Sequence, residues 1–514
     1  MRDLVSHAPT NRPAGFSAGR AVCLAVAVCV LAVGQPVLAD GRKGSGSSTA
    51  GPDERGSHGR GLVLSSDAAS AGYVLFSPLL STATYLVDRA GRVVHMWQSD
   101  RAPGASVYLL DNGHLLRCAR ERDEPIFQAG GEGGRIQEFT WEGELVWDYT
   151  LASSERVQHH DIEPMPNGNV LAIVWEHKIR EEAIEAGRRP ELVPAQGLIP
   201  DCVVEVQPVP PTDGRIVWEW HAWDHLVQDH DPDRDNFGNV SEHPELIDIN
   251  GDHRPVRFTD AVIQRLKALG YLVGSPSAFG LEADVFHTNA IDYNPQLDQI
   301  VLSVHRFNEI WVIDHSTSTR QAAGHVGGRA GRGGDLLYRW GSPQTYGRGS
   351  AEDQKLYAHH DARWIPSGHP GGGNIMIFNN GYGRPGGDHS SVVEITPPLD
   401  RAGCYVLPVG SSFGPARPAW TYAPAAEGTF SADFLSGAHR LANGNTFICS
   451  GPTGRLFEQT PDGTVVWEYM NPFRGDAPNP AGDPRHSVFR ATLIALDHPG
   501  LVGRRLEPVV ESAD

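Results

Sequence analysis

The stretch GELVW, residues 143–147, places a turn glycine two residues ahead of a short apolar strand that ends in tryptophan. A short strand ending in tryptophan occurs six times along the chain, and several copies also carry the leading glycine. The six tryptophans are Trp97, Trp147, Trp218, Trp340, Trp420 and Trp467. Self-similarity at a spacing of this size is the sequence signature of radially repeated architectures. The pattern therefore predicts an all-β protein folded as a six-bladed β-propeller.

A second repeated unit, a tight turn that opens onto an apolar strand, alternates with the tryptophan strands. Asn112-Gly113, Asn167-Gly168, Gly373-Asn374 and Asn443-Gly444 each precede such a strand. Asn-Gly pairs tolerate the positive φ that a tight hairpin requires, and the apolar runs that follow are typical of β-strands. The two units together predict that the propeller occupies residues 73–500.

The interval between Trp218 and Trp340 is longer than one blade requires, so residues 221–280 are predicted to be an insertion. Within it, residues 260–269 have the apolar spacing of an amphipathic helix. We expect this helical and loop insertion to cap one face of the propeller and to narrow the entrance to its central cup.

The N-terminus has the pattern of an export signal. Basic residues precede the apolar run 21–33, which leads to Ala39 and then to a polar stretch. The run is shorter than the roughly 20 residues of a membrane-spanning helix, although an uncleaved anchor is an alternative. We expect residues 1–39 to be a cleaved secretory signal, leaving no membrane span and a periplasmic or secreted protein. Residues 40–72 are predicted to be a disordered Gly/Ser-rich leader, and residues 501–514 a C-terminal tail.

The charge balance restricts the class of partner. The chain has 62 Asp and Glu against 43 Lys and Arg, a net charge of −19. A nucleic acid requires a basic surface, so no nucleic-acid partner is expected, and a local cluster of His or Arg would have to attract any anionic substrate. Outside the signal, the cysteines could form disulfides in an exported protein or remain buried thiols. They are Cys118, Cys202, Cys404 and Cys449.

Histidines are the chemically unusual residues of the chain, which has 23 of them. Four histidine clusters stand at the start of the same repeated element in different blades, so we expect them to converge on the central cup. They contain His160, His287, His360 and His439. With Arg306 they would form an anion site capable of acid, base or nucleophilic chemistry. Structural histidines bonded to neighbouring blades are one alternative, and a zinc centre is another, although no HxH or HExxH spacing occurs.

Three motifs resemble the bacterial arylsulfotransferase family (aryl-sulfate sulfotransferases), exported six-bladed propellers that use no nucleotide sulfate donor. They are HHDIEPMPNGN around His160, HTNAIDYNPQLDQIVLS from His287, and HHDARWIP around His360, within a resemblance over about residues 73–489. The resemblance implies no cofactor and no metal, a phenolic sulfate ester as donor and a phenol as acceptor. It also implies that His360 is the nucleophile that forms a sulfohistidine. His160 and His287 match residues that hold the sulfuryl oxygens and assist the leaving phenol.

One position departs from the family pattern. The family carries an arginine eighteen residues after the histidine that matches His287, and here that position is His305, with Arg306 next. Adjacent residues on a strand face opposite sides. We therefore expect either a bulge that returns Arg306 to the cup or a substitute role for His305.

Other functions remain compatible with the sequence, because a fold does not by itself define a function. The main alternative is a non-catalytic secreted propeller that binds a protein or glycan partner, and a quinoprotein-like redox propeller is a further one. Loss of the sulfuryl group to water, as in a sulfatase, is a variant of the leading hypothesis. If His160, His287, His305 and His360 do not face one cavity, the binding function is favoured.

Overall fold

The computed structural model describes residues 59–121, 129–252, 259–268, 270–272, 278–424, 430–475 and 486–509. Within these ranges the chain forms six antiparallel blades, five of four strands and one of five, and it is a six-bladed β-propeller as predicted. The predicted signal, residues 1–39, lies outside the described residues.

The strands are numbered in chain order and grouped here by blade. Strand β1 (Gly61–Ser65) is followed by β2 (Tyr73–Pro78), β3 (Ala83–Asp88) and β4 (Val93–Gln98) of the first blade. The second blade contains β5 (Pro103–Leu109), β6 (Leu115–Arg120), β7 (Gly134–Phe139) and β8 (Leu145–Thr150). The third contains β9 (Arg156–Pro164), β10 (Val170–Glu176), β11 (Asp201–Val209) and β12 (Asp213–His221).

The remaining strands complete the ring. A parallel pair, β13 (Leu226–Val227) and β14 (Ile247–Asp248), follows the third blade. The fourth blade contains β15 (Thr288–Asn294), β16 (Gln299–Val304), β17 (Glu309–Asp314) and β18 (Tyr338–Trp340). The fifth contains β19 (His360–Trp364), β20 (Ile375–Asn379), β21 (Ser391–Ile395) and β22 (Trp420–Tyr422). The sixth contains β23 (Gly437–Arg440), β24 (Thr446–Ser450), β25 (Arg455–Gln459) and β26 (Val465–Met470), and β27 (Val488–Ile494) comes last.

Two strands from distant parts of the chain close the ring. Strand β27 pairs with β2 and is the innermost strand of the first blade. Strand β1 pairs with β26 and adds a fifth, outermost strand to the sixth blade. The prediction of a disordered leader was therefore wrong for residues 61–65, because the edge of β26 offers them a backbone hydrogen-bonding partner.

The tryptophan repeat has a common structural cause. Each of the six tryptophans lies on the fourth strand of its own blade, counted outwards from the axis, and these strands are β4, β8, β12, β18, β22 and β26. Each indole N–H donates to an oxygen beside the outer turn of the next blade. The donor–acceptor distances are 2.8–3.3 Å, and the acceptors, in the chain order of the tryptophans, are Thr140 O, Asp213 O, Thr317 Oγ1, Pro415 O, Pro461 O and Arg89 O. The repeat therefore fastens each blade to its neighbour around the whole circle.

The innermost strands line the axis, and most of them are bulged. The pairing register shifts in the first two strands of the blades that contain β5, β9, β15 and β19, and between β27 and β2. His160 and His287 have positive φ values of 53° and 52° at these irregularities. A bulge re-aims side chains that regular alternation would send elsewhere. The directions of the side chains at the axis therefore follow from these bulges rather than from strand alternation alone.

Four short helices complete the described structure, and they are α1 (Arg180–Glu185), α2 (Asp260–Ala268), α3 (Ala278–Ala283) and α4 (Thr319–Ala322). The predicted insertion contains α2, and Leu266, Tyr271 and Leu281 of this region pack with Phe489 of β27 in one hydrophobic cluster. The insertion thus covers one end of the axis, as expected. Within the described residues, no helix is long and apolar enough to cross a membrane.

All four cysteines outside the predicted signal are free thiols. Cys118, Cys202 and Cys449 are buried and Cys404 is exposed. Burial raises the pKa of Cys118 to about 12, so this thiol stays protonated and unreactive. The sequence allowed either disulfides or free thiols, and the structure contains free thiols.

Candidate active site

A cavity of about 210 Å³ lies under the insertion at one end of the propeller axis. Its floor consists of polar side chains from the blades, and its cover consists mainly of apolar side chains from the insertion and the sixth blade. The lining residues are Gly130, Val262, Leu266, Tyr271, Leu281, Asp284, His287, His305, Arg306, Asn308, Ala358, His360, Tyr382 and Phe434. The cavity therefore combines an apolar half with a half made of histidine and arginine.

The predicted histidines come together at this cavity. His287, His305 and His360 line the cavity. His160 is fully buried behind them, with its ring packed against that of His287. The ring centres of His160 and His287 are 4.6 Å apart, those of His287 and His305 5.1 Å, and those of His305 and His360 5.5 Å. This arc of four rings favours a catalytic site over the binding-platform alternative.

The departure at residues 305 and 306 is resolved by a turn. His305–Phe307 form a 3₁₀ turn after β16, so neither residue lies on a strand. His305 and Arg306 both line the cavity, and the expectation that only one of them could face it was wrong. The alternation rule does not apply, because successive side chains of a 3₁₀ helix are about 120° apart rather than on opposite faces.

The fourth histidine cluster does not join the site. His439 lies within β23 and lines a different cavity, of about 410 Å³, together with Asp292, Arg363 and Trp364. In the sixth blade, the positive-φ positions before the inner strand are Leu435 and Ser436. The prediction that His439 converges with the other three was therefore wrong, because it lies past the irregular start of the inner strand.

The tautomer of His360 is fixed by its neighbours. Asn380 Nδ2 donates to the backbone oxygens of Ala432 and Leu435, at 2.6 and 2.9 Å, which turns Asn380 Oδ1 towards His360. His360 Nδ1–H donates to Asn380 Oδ1 at 2.8 Å and lies 3.2 Å from Ala358 O. Both partners are acceptors, so Nδ1 carries the proton. The lone pair of the neutral ring is consequently on Nε2.

Three histidines of the site, His160, His305 and His360, are held neutral by their surroundings. Burial, reinforced by nearby histidines, lowers the pKa of His160 and His305 well below the usual value. Burial also lowers the pKa of His360 to about 3, although the hydrogen bond to Asn380 opposes the shift. A neutral imidazole keeps a lone pair, which a nucleophile or base requires.

Tyr271, which no sequence motif singled out, connects two of the histidines. Its hydroxyl oxygen is 2.5 Å from His160 Nε2 and 3.1 Å from His287 Nε2. His287 Nδ1 in turn hydrogen-bonds the carboxylate of Asp284. The only sequence signal was the position of Tyr271 directly after the predicted amphipathic helix, and that signal indicates a cap rather than a reactive group.

A buried network of charges supports the site from within the axis. Arg490 Nη2 donates to Asp161 Oδ2 at 2.7 Å, and its Nε lies 2.9 Å from Asp361 Oδ1. Tyr108 and Arg363 add hydrogen bonds of 2.7 Å to the two carboxylates. This axial network, made of these five residues, joins the inner strands of four blades. Because Asp161 and Asp361 directly follow His160 and His360, the network also anchors both histidines.

Among the described residues, two groups of side chains outside the cavity have metal-ligating chemistry. One consists of Glu176, Cys202 and His221, and the other of His225, His325 and Asp335. Both ring nitrogens of His221 face carboxylates at 3.1–3.2 Å, from Glu176 and Glu219. The imidazole of His225 is similarly held by Asp335 and Ala322 O. Hydrogen bonding within the protein therefore accounts for both groups.

The fold and the site define this chain as a six-bladed propeller with a covered axial site rich in histidine. The sequence model of the family Arylsulfotransferase (ASST) matches residues 67–469, and the chain belongs to this family. Membership supports an aryl sulfotransferase activity. No curated protein matches the chain significantly.

Several solved structures are similar in fold. A protein of unknown function from Bacteroides caccae is 11% identical, with a TM-score of 0.42, over 83% of this chain and 99% of that one. The periplasmic gluconolactonase PpgL of Pseudomonas aeruginosa is 10% identical, with a TM-score of 0.39, over 83% and 97%. The β-propeller domain of Cps50 (Swd1) from Myceliophteria thermophila is 9% identical, with a TM-score of 0.37, over 81% and 91%.

Proposed function

We propose that the protein transfers a sulfuryl group from an aryl sulfate ester to a phenolic acceptor through a sulfohistidine at His360, without a nucleotide donor. The observation that carries the proposal is the state of His360. Its ring is neutral, its Nδ1 proton is fixed by Asn380, and it lines a cavity that also contains His305 and Arg306. The lone pair on Nε2 is the group that such a transfer requires.

The proposed reaction has two half-steps. In the first, the His360 Nε2 lone pair forms a bond to sulfur while the bond from sulfur to the phenolic oxygen breaks, and its electron pair leaves on that oxygen. In the second, the oxygen of an acceptor phenol attacks the same sulfur and releases His360, and the proton that this phenol loses replaces the one that the site gives to the departing phenolate. Each half-step conserves charge and needs no oxidant or reductant.

His305 and Arg306 are suited to hold the sulfuryl oxygens. Within the described residues, the buried Nδ1 of His305 has no hydrogen-bond partner in the protein. A buried polar atom of this kind is satisfied by a ligand or by water. Arg306 is anchored by a 2.7 Å hydrogen bond from Nη2 to Leu281 O and brings a positive charge to the cavity wall. Donors fixed in advance stabilise charge that develops on oxygen during transfer.

The size of the cavity supports an aryl sulfate as donor. A cavity of about 150 Å³ can hold a benzene ring, so the 210 Å³ observed here accommodates an aromatic ring and a sulfuryl group. Pockets for larger ligands have volumes of about 300–1,000 Å³, and a nucleotide sulfate is a ligand of that size. The apolar side chains of Leu266, Leu281 and Phe434 offer the ring a dry surface.

The test is a phenol-release assay with 4-nitrophenyl sulfate, with and without added phenol, on the wild type and on His360→Ala. We expect acceptor-dependent turnover that is lost in His360→Ala, and a sulfuryl adduct on His360 by mass spectrometry when the acceptor is omitted. His439→Ala is the matched control, because burial lowers the pKa of His439 to about 3 as well, but it lines the other cavity.

Each outcome has a distinct meaning. Equal turnover by His360→Ala and the wild type would refute the sulfohistidine. Turnover that does not depend on the acceptor would indicate a sulfatase. Transfer from adenosine 3′-phosphate 5′-phosphosulfate at a rate comparable to that from the aryl ester would refute nucleotide independence.

We also propose that the protein is exported, on the basis of the signal pattern in residues 1–39. Cell fractionation followed by N-terminal sequencing tests this. We expect the protein in the periplasm or the medium, beginning at Asp40, and a cytoplasmic protein that begins at Met1 would contradict the proposal.

A further inference from the structure

A phenol from the protein's own insertion lies among the histidines of the site. Tyr271 follows α2, is 5% exposed, and borders the cavity. Its hydroxyl oxygen lies between two imidazole nitrogens, at 2.5 Å from His160 Nε2 and 3.1 Å from His287 Nε2. Both distances are within hydrogen-bonding range, so this hydroxyl joins the two histidines.

The two histidines have no ring nitrogen left for a substrate. His160 Nδ1 lies 2.7 Å from His159 Nδ1, and its Nε2 is bonded to Tyr271. His287 Nδ1 is bonded to Asp284, and its Nε2 is also bonded to Tyr271. His160, moreover, does not line the cavity. In this group the Tyr271 hydroxyl is therefore the point at which a proton can pass between the histidines and a ligand.

We propose that the Tyr271 hydroxyl is the acid that protonates the departing phenolate, and that His160 and His287 act through it rather than on the substrate. This inference rests on the proposed sulfuryl transfer and assigns the leaving-group step of the same site. It differs from the roles implied by the family resemblance, which placed leaving-group assistance on His160 and His287 themselves.

The proton balance of the step is complete. When the bond from sulfur to oxygen breaks, the phenolate oxygen takes the proton of Tyr271 Oη–H and becomes a neutral phenol. Tyr271 Oη takes the Nε2 proton of a His287 imidazolium, which becomes neutral and keeps its Nδ1–H on Asp284. The acceptor phenol returns one proton along the same route in the second half-step, so the site ends in its starting state.

The surroundings of Tyr271 fit this role. Burial, reinforced by the carboxylate of Asp284, raises the pKa of Tyr271, so its hydroxyl keeps its proton in the resting site and releases it to the phenolate only as the His287 Nε2 proton replaces it. Burial opposes ionisation of Asp284, but His287, Arg306 and His159 together outweigh it and lower the pKa of this carboxyl. An ionised Asp284 stabilises the His287 imidazolium that recharges Tyr271.

The experiment compares donors whose phenols differ in basicity, because a general acid matters most for the most basic leaving group. Release of phenol is measured in a single turnover with 4-nitrophenyl, phenyl and 4-methoxyphenyl sulfate, on the wild type and on Tyr271→Phe. We expect a loss of about 100-fold or more for the phenyl and 4-methoxyphenyl esters, and a loss of only a few-fold for the nitrophenyl ester. Tyr469→Phe is the control, because it removes a buried hydroxyl that lies on β26.

Four outcomes would overturn the assignment. An equal loss for all three donors would mean that Tyr271 is structural, and no loss would mean that its proton is not used. A wild-type rate that already falls steeply with the basicity of the leaving phenol would also overturn it, and that measurement needs no variant. A wild type that turns over none of the donors would refute the proposed function and this assignment together.

Discussion

Asn380→Ala tests whether the amide that orients His360 sets the rate of sulfuryl transfer. In the wild type, Asn380 Oδ1 accepts the Nδ1 proton of His360 at 2.8 Å and thereby keeps the lone pair on Nε2. After the substitution, only the longer contact of 3.2 Å to Ala358 O remains to hold that proton. We expect slower formation of the sulfohistidine, with little change in donor binding.

The size of the effect follows from the hydrogen bonds lost. One neutral hydrogen bond is worth about 0.5–1.5 kcal/mol, and each 1.36 kcal/mol in the barrier is tenfold in rate. The expected fall in kcat is therefore between about twofold and tenfold, with KM unchanged. The substitution also leaves the backbone oxygens of Ala432 and Leu435 without the Asn380 donor, which costs about 1–3 kcal/mol of folding stability.

The assay is a single-turnover measurement of 4-nitrophenol release with enzyme in excess, together with a denaturation curve. Asn379→Ala is the matched control, because Asn379 bonds Tyr357 N and Lys355 O at 2.8 and 2.9 Å but does not contact His360. The control should lose stability and keep the rate of transfer. If Asn380→Ala transferred the sulfuryl group at the wild-type rate, the argument that Asn380 fixes the reactive tautomer would be refuted.

Three further predictions concern stability. Because burial holds His305 neutral, its contribution to folding stability should be fully present above the unfolded pKa of about 6.5 and should be lost as the pH falls below that value. His305→Gln should therefore flatten the dependence of stability on pH in acid by up to about 1.4 kcal/mol per pH unit, and an unchanged slope in acid denaturation would contradict this. Trp147→Phe should lower the free energy of unfolding, measured in urea, by about 2–3 kcal/mol. Trp420→Phe should lower it by about 1 kcal/mol, because Trp420 is partly exposed and its hydrogen bond to the next blade is longer. Equal losses would argue against the contribution assigned to the contact between blades. Arg490→Met should lower the free energy of unfolding by about 3–5 kcal/mol, because Asp161 and Asp361 lose a buried partner. A thermal midpoint like that of the wild type would show that the axial network is not needed for stability.

Much of the fold was predictable because it repeats. A tryptophan that bonds the next blade must recur once per blade, so Trp97 and Trp467 carry the same signal at opposite ends of the propeller. The strand β1 was missed for the opposite reason, since its short sequence gains structure only from the edge of β26. The helix α2 was predictable from its periodicity, and the structure places it at Asp260–Ala268.

The site was predictable only in part. His160, His287 and His360 could be identified from matching positions in the repeat, whereas His439 shows that a shift of a few residues moves a side chain to another cavity. The orientation of His305 depends on a 3₁₀ turn that strand periodicity does not reveal. Tyr271 enters the site from a segment outside the repeat, so no repeat position could point to it.

The strand that closes the ring also determines when the site can exist. Ribosomes synthesise a chain from its N-terminus, so β27 emerges after every other strand of the propeller. It brings Phe489, whose ring centre lies 6.1 Å from that of His160 and 6.4 Å from that of His360, and it brings Arg490 of the axial network. Until β27 arrives, Asp161 and Asp361 lack their shared counter-charge and the first blade lacks its inner strand. We therefore expect a nascent chain, or one truncated before β27, to lack the assembled site, so that the fold itself delays any activity until synthesis has passed β27.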